Sequence, residues 1–137
     1  MSEELNKEIE KLKKTQKKKN SHYTALEVSL GTMLFAKTAF DLTEDAISYK
    51  KFKTKLDEAI TNEPEQENKA KIKRANKANN IARIARFGKH FITAATVAVA
   101  IHNGIKTMKD VNNIKTGKEI SKKIGEAKKK EKENKAK

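Results

Sequence analysis

The residues of this chain that could carry acid–base or metal chemistry include its three histidines. His90 and His102 are twelve positions apart, which is about 18 Å along one helix, so they cannot bind a single metal ion together within one chain. Neither has an acidic or histidine residue four positions further on, since Ala94 and Lys106 stand there. We therefore expect His90 and His102 to mark the ends of a buried helix, not to act as ligands or bases.

Closely spaced carboxylates occur at Asp41, Glu44 and Asp45, and again at Asp57 and Glu58. General acid–base catalysis needs two carboxyl groups in a shaped pocket that displaces their pKa values, and thin helices offer little pocket. The chain has no cysteine, which excludes thiol catalysis, disulfides and cysteine-bound metal. We predict a protein that is not an enzyme, with no catalytic residue, no metal site, no cofactor and no small-molecule substrate.

The strongest chemical signal is a stretch without acidic residues. From Asn68 to Lys109 the chain has ten Lys or Arg residues, including all three arginines, and no Asp or Glu. Guanidinium groups bind phosphates through paired hydrogen bonds, and the net charge of +14 also favours an anionic partner. We predict that an anionic surface is bound by the residues here called the basic arm: Lys69, Lys73, Arg74, Lys77, Arg83, Arg86 and Lys89.

The basic arm leads into His90 to Ile105, a run without any charged residue. Apolar residues recur there at alternating spacings of three and four, the pattern of a coiled-coil seam. The predicted helix-seam interface is Ile84, Phe87, Phe91, Ala94, Ala98, Ile101, Ile105 and Met108. A helix that is apolar on most sides requires burial on most sides, and one other helix cannot provide that. A further surface is therefore expected to cover it: the N-terminal helix, a second copy, another protein or a larger assembly, or a membrane.

The elements that position these residues are predicted to be helices, because one proline and five glycines give few interruptions. The predicted fold is all-α: a short N-terminal helix, a long antiparallel helical hairpin, and a short C-terminal helix followed by a charged, disordered tail. The corresponding segments are residues 1–20, the hairpin domain at 21–116 with its loop near 61–68, and residues 117–137. Acidic residues between Asp41 and Glu67 are expected to face Lys69 to Lys77 across the hairpin.

Individual residues mark the expected helix ends. Thr24 and Glu27 match a capping box, and Thr43 would start a new helix if the first long helix is broken there. Gly117 and Gly125 read as helix stops. Gly88 and a further glycine, Gly104, lie inside helical patterns, which predicts close approach of a neighbouring helix at both.

Three functions remain open on the sequence alone. The first is an assembly protein that oligomerises, or docks on a larger partner, through its apolar seam and contacts an anionic surface with the basic arm. The second is a membrane-active hairpin that inserts residues near 90–105, and the third is a nucleic-acid-binding protein without sequence specificity. No signal peptide is visible, and the run without charge is shorter than the roughly 20 residues of a spanning helix. A cytoplasmic location is expected.

Overall fold

The computed structural model describes residues 2–136 and consists of two α-helices joined by a short loop. Helix α1 spans Glu3–Asn62 and helix α2 spans Gln66–Ala136. The helices pack antiparallel. The loop holds the single proline, Pro64. Proline interrupts a helix because it has no N–H to donate and its ring clashes with the preceding turn. The predicted all-α antiparallel hairpin and the position of its loop are therefore confirmed.

The predicted short N-terminal helix is not a separate element, because α1 runs without interruption from Glu3 to Asn62. The apolar stripe of its first turns ends at Leu12, and polar residues then continue the same face. Gln16 and Asn20 are half-buried and form hydrogen bonds to α2. Amide side chains thus replace apolar ones in holding this part of α1 against its neighbour.

The expected break in α1 is also absent from the described residues. The Thr24 hydroxyl donates to the Asn20 carbonyl at 3.1 Å, and the Thr43 hydroxyl donates to the Ala39 carbonyl at 2.8 Å. Both threonines therefore bond to the preceding turn of a continuing helix, whereas a capping threonine would accept from the following turn.

The predicted C-terminal helix and disordered tail are wrong as well, because α2 continues to Ala136. A glycine ends a helix when it adopts a positive φ, and no glycine in residues 2–136 does so. Gly117 and Gly125 therefore keep helical geometry. The lysines and glutamates that follow are good helix formers, and Lys123 Nζ lies 3.3 Å from Glu8 Oε2 of α1.

The glycines within α2 do not mark close helix packing. A Cβ atom added to Gly88 or Gly104 would have no neighbouring atom within 4 Å. The prediction of close approach at these two positions is therefore wrong for contacts within the chain.

The chain divides into two compact units. The terminal unit contains the chain up to Leu30 and from Ala100 onward, and the loop unit contains Gly31–Val99. The buried residues of the described chain, Leu5, Ile105, Asn112 and Thr116, all belong to the terminal unit. The loop unit has no buried side chain among its residues, so its helices touch along a narrow line and most of its apolar surface stays exposed.

Candidate interaction surfaces

Large apolar side chains are exposed along much of the described chain. Seventeen large apolar residues are exposed, of which twelve belong to the loop unit and five to the terminal unit. Single exposed apolar residues are common on protein surfaces, whereas a contiguous group marks an interaction site. The twelve in the loop unit are Met33, Phe35, Phe40, Ile47, Phe52, Ile81, Ile84, Phe87, Phe91, Ile92, Val97 and Val99.

Apolar residues of both helices share one broad side of the loop unit. Each helix contributes four residues, at spacings of four, three and four on α1 and of three, four and four on α2, which places them in one line on each helix. The two lines lie side by side, because Leu42 and Ala46 of α1 line the same groove as Ile84 and Phe87 of α2. The groove has a volume of about 370 Å³. We call this side the apolar face: Phe35, Ala39, Leu42 and Ala46 of α1, with Ile84, Phe87, Phe91 and Ala95 of α2.

Aromatic rings project from the apolar face. Phe35, Phe87 and Phe91 are 76%, 50% and 54% exposed. The rings of Phe87 and Phe91, one helical turn apart, have centroids 5.0 Å apart and planes inclined by 51°. This tilted arrangement is favourable for an aromatic pair, and it holds the Phe91 ring against Phe87, which lines the groove.

The opposite broad side of the loop unit is polar. By helix periodicity, the residues turned to that side share two further lines. They are Lys37, Asp41, Glu44 and Ser48 of α1, and Lys89, Thr93 and Thr96 of α2. We call this the polar side, although exposed Met33 and Phe40 lie beside its α1 line by the same periodicity.

The predicted helix-seam interface is divided between two environments. Ala94, Ile101 and Ile105 are half-buried or buried against α1, whereas Ile84, Phe87, Phe91, Ala98 and Met108 are exposed. The stripe keeps a 3.5-residue period, but a straight helix turns every 3.6 residues, so the stripe drifts round α2. Most of the exposed members therefore lie beside the α1 contact, where a further partner can reach them.

Polar side chains occupy the line along which the helices of the loop unit meet. His90 Nε2 lies 2.7 Å from Asp45 Oδ2, and both side chains are about three-quarters buried, with 24% exposed. The guanidinium of Arg86 lies 3.8 Å from the other oxygen of Asp45. His90 therefore has an acidic partner on α1, which a search along its own helix does not find.

The terminal unit contains a similar polar line. His102 Nδ1 lies 2.8 Å from Glu27 Oε1. Further along, Asn112 Nδ2 donates to the Gln16 carbonyl and to Asn20 Oδ1, both at 3.1 Å. The expectation that His90 and His102 mark the ends of a buried helix is therefore incomplete. The sequence does not reveal these two pairs, because each joins a histidine of α2 to an acid of α1. Such pairs depend on the antiparallel register of the two helices.

The basic arm does not form a single patch. Lys69, Lys73 and Lys77 recur every four residues and make one line, whereas Arg83, Arg86 and Lys89 recur every three residues and make another. Lys77 and Lys89 are twelve residues apart, which corresponds to about a third of a turn around the helix. Arg74 points away from both lines by the same periodicity.

The side chains of the basic arm are mostly free to meet a partner. All of its members are exposed except Lys69, which is half-buried. Of the four ion pairs in residues 2–136, none joins an acid to the Lys69 to Lys77 stretch. The expected internal pairing of that stretch is therefore not observed, and the contact between the arm and an acid of α1 occurs at Arg86 and Asp45.

Helix α2 also contains a stretch long and apolar enough to cross a membrane, and none of that stretch is buried in the described chain. Length and composition alone give this result, and core helices of soluble proteins meet the same criterion. No group of three or more His, Asp or Glu residues that could hold a metal ion occurs within residues 2–136.

Comparison with protein-family models, curated proteins and solved structures gives no match.

Proposed function

We propose that this chain is a non-catalytic helical assembly protein, which associates through the apolar face of its loop unit and contacts an anionic surface with the basic arm. The observation that carries the proposal is the exposure of three phenylalanine rings on one side of a helix pair. No other part of the described loop unit covers them.

The size of the exposed apolar area supports association. A phenylalanine buries about 200 Å² when fully covered, so the exposed fractions of Phe35, Phe87 and Phe91 leave about 350 Å² of ring surface in water. At about 25 cal/mol per Å², covering that area alone gives about 9 kcal/mol. Association costs about 4–15 kcal/mol in lost freedom of motion. The gain from the rings is thus of the same order as this cost, so a stable complex would also have to cover the flanking aliphatic residues.

Two features support the non-catalytic part of the proposal. The best candidate bases, His90 and His102, each contact an acid of α1, Asp45 and Glu27, and both pairs join the two helices. The groove of the loop unit is open and lined mainly by aliphatic and aromatic groups, with Asp45 and Arg83 beside them. Such a groove suits packing against another helix, since active sites bring several polar groups to one reacting centre.

The exposure of the basic arm supports its role at an anionic surface. Because the two lines of cations point to separate sides of one helix, a flat anionic surface can meet one line at a time, whereas a flexible polyanion can reach both. Binding of this kind weakens steeply with salt.

The experiment that tests the assembly proposal combines light scattering with binding of a hydrophobic dye. We expect either a particle mass above the chain mass of 15.5 kDa or strong dye binding by the isolated chain. Phe91→Asp should reduce whichever of these two signals the unaltered chain shows, and Thr93→Asp on the polar side should leave it unchanged. A helical monomer that binds no dye would contradict the proposal.

A membrane-active hairpin is the second candidate, and the exposed apolar stretch of α2 is the observation that favours it. This candidate predicts leakage from vesicles of anionic lipid at micromolar protein. Ala98→Asp, which places a charge in that stretch, should abolish the leakage. Intact vesicles would count against this candidate and leave the assembly proposal standing.

A further inference from the structure

We infer that the apolar face of the loop unit is covered by the same face of a second copy of this chain, so that two helix pairs stack into a four-helix layer around a two-fold axis. The inference rests on the proposed function and names its partner. Three properties of the face favour a second copy: its area, its shape and the distribution of charge around it.

The area matches what a stable dimer needs. A standard interface takes about 800 Å² from each partner. The three phenylalanine rings contribute about 350 Å² at their exposed fractions. Ile84 is 68% exposed, and Ala39, Ala46 and Ala95 are exposed as well. With these residues the face comes to roughly 600 Å², the lower end of the range for one partner of a standard interface, without any residue from the terminal unit.

The shape of the face favours two helices as its partner. The groove runs between two apolar lines, one on each helix, and Phe35 and Phe91 stand outside the groove on their own lines. A single partner helix seated in the groove would leave the outer rings partly exposed. Two helices at the usual spacing of 8–10 Å cover both lines. Because a two-fold interface pairs a surface with itself, each copy then supplies both the rings and the groove.

Charge determines the relative direction of the two copies. Residues 50–77, which surround the loop, hold nine cations and five acids, a net charge of +4. Two copies aligned in the same direction would place these segments against each other, and like charges repel. In the opposite alignment each segment lies away from its equivalent. The two copies are therefore antiparallel to each other, with α1 stacked on α1 of the partner and α2 on α2.

This arrangement places one residue next to its own equivalent. Ala39 lies near the middle of the α1 line of the apolar face, so when the two copies are antiparallel it approaches the Ala39 of the second copy. In the parallel stack, α1 would instead lie on α2 of the other copy. Ser48 lies on the polar side of the same helix and faces solvent in both arrangements.

Single-cysteine cross-linking tests the inference cleanly, because the chain has no cysteine of its own. Ala39→Cys should form a disulfide-linked dimer under mild oxidation at least ten times faster than Ser48→Cys. A disulfide requires Cα atoms within about 7 Å, so the difference reports which side is covered. Adding Phe91→Asp to Ala39→Cys should remove the advantage, and circular dichroism should show that the double variant remains helical.

Other outcomes overturn the inference in distinguishable ways. Equal, slow cross-linking of a dimeric protein would place the dimer contact elsewhere. Cross-linking that is faster at Ser48→Cys would place it on the polar side. A monomer that binds hydrophobic dye at the apolar face would exclude the second copy while leaving docking on a larger partner intact. A monomer that binds no dye would remove the proposed function as well.

Discussion

At the scale of single residues, buried amide groups align the two helices of the terminal unit. Asn112 is 8% exposed and donates from one nitrogen to both the Gln16 carbonyl and Asn20 Oδ1. A polar residue in an otherwise apolar helix contact disfavours other registers, because shifting the helices leaves its hydrogen-bonding groups without partners.

Asn112→Ala should lower the free energy of unfolding by about 1–2 kcal/mol, since it removes both hydrogen bonds and leaves Asn20 Oδ1 without this donor. Urea unfolding followed by circular dichroism measures the change. Asn103→Ala, at an exposed position of the same helix, is the control and should change stability little. Equal effects of the two substitutions would show that Asn112 does not hold the register.

The two histidine–acid pairs should differ in strength because they differ in burial. His90 and Asp45 are each 24% exposed, whereas His102 is 66% exposed. A double-mutant cycle with alanine at both positions should give a coupling energy of about 1 kcal/mol for His90 and Asp45, and clearly less for His102 and Glu27. A larger coupling at the exposed pair would contradict this account of the polar contacts.

At the scale of the elements, helix type and direction follow from the sequence, whereas helix ends and rotation do not. Pro64 and its acidic neighbours mark the loop. The apolar stripe ends at Leu12, which predicts the end of a helix there. In the structure, amide side chains continue the contact between α1 and α2 beyond that point. The sequence predicts that a helix ends at Gly117. A glycine that ends a helix commonly has a positive φ, and the residue type alone does not specify φ.

The site was predictable to a similar degree. Periodicity located the apolar residues of α2, but the half of the apolar face on α1 and the polar contacts of His90 depend on how both helices are rotated in the pair. That rotation is set by side chains nearly fifty positions apart, such as Asp45 and His90. A pattern read along one helix cannot contain this information.

Gly104→Ala should stabilise the chain by about 1 kcal/mol, because alanine favours the helix over glycine by this amount and the added Cβ meets no atom within 4 Å. Thermal unfolding measures the gain. Ala100→Gly, one turn earlier, should have the opposite effect of similar size. A loss of stability for Gly104→Ala would indicate that another chain approaches α2 closely at this position.

At the scale of the whole molecule, charge and apolar surface respond oppositely to salt. Each copy carries a net charge of +14, so salt weakens the repulsion between copies and should tighten self-association. Binding of the basic arm to a DNA duplex or to anionic vesicles should weaken with salt instead. Sedimentation measures the first trend and a fluorescence titration the second. Each is carried out at about 0.05 M and about 0.5 M salt, which changes the Debye length several-fold.

The basic arm itself is tested by removing one of its lines. Replacing Lys69, Lys73 and Lys77 with alanine should weaken binding to the anionic surface and make the salt dependence less steep by about three released counterions. The variant should self-associate at least as well as the original chain does, because it keeps every residue of the apolar face and loses positive charge that repels a second copy. Unchanged affinity for both DNA and anionic vesicles would remove the arm from the proposed function.

The central claim is that the apolar face of the loop unit is covered by a partner in solution, and that the partner is a second copy. Light scattering at moderate salt tests it most directly. The account predicts a mass twice the chain mass of 15.5 kDa, which returns to the chain mass in Phe91→Asp but not in Thr93→Asp. A single-chain mass for the unaltered protein, with full helicity and no binding of a hydrophobic dye, would contradict it.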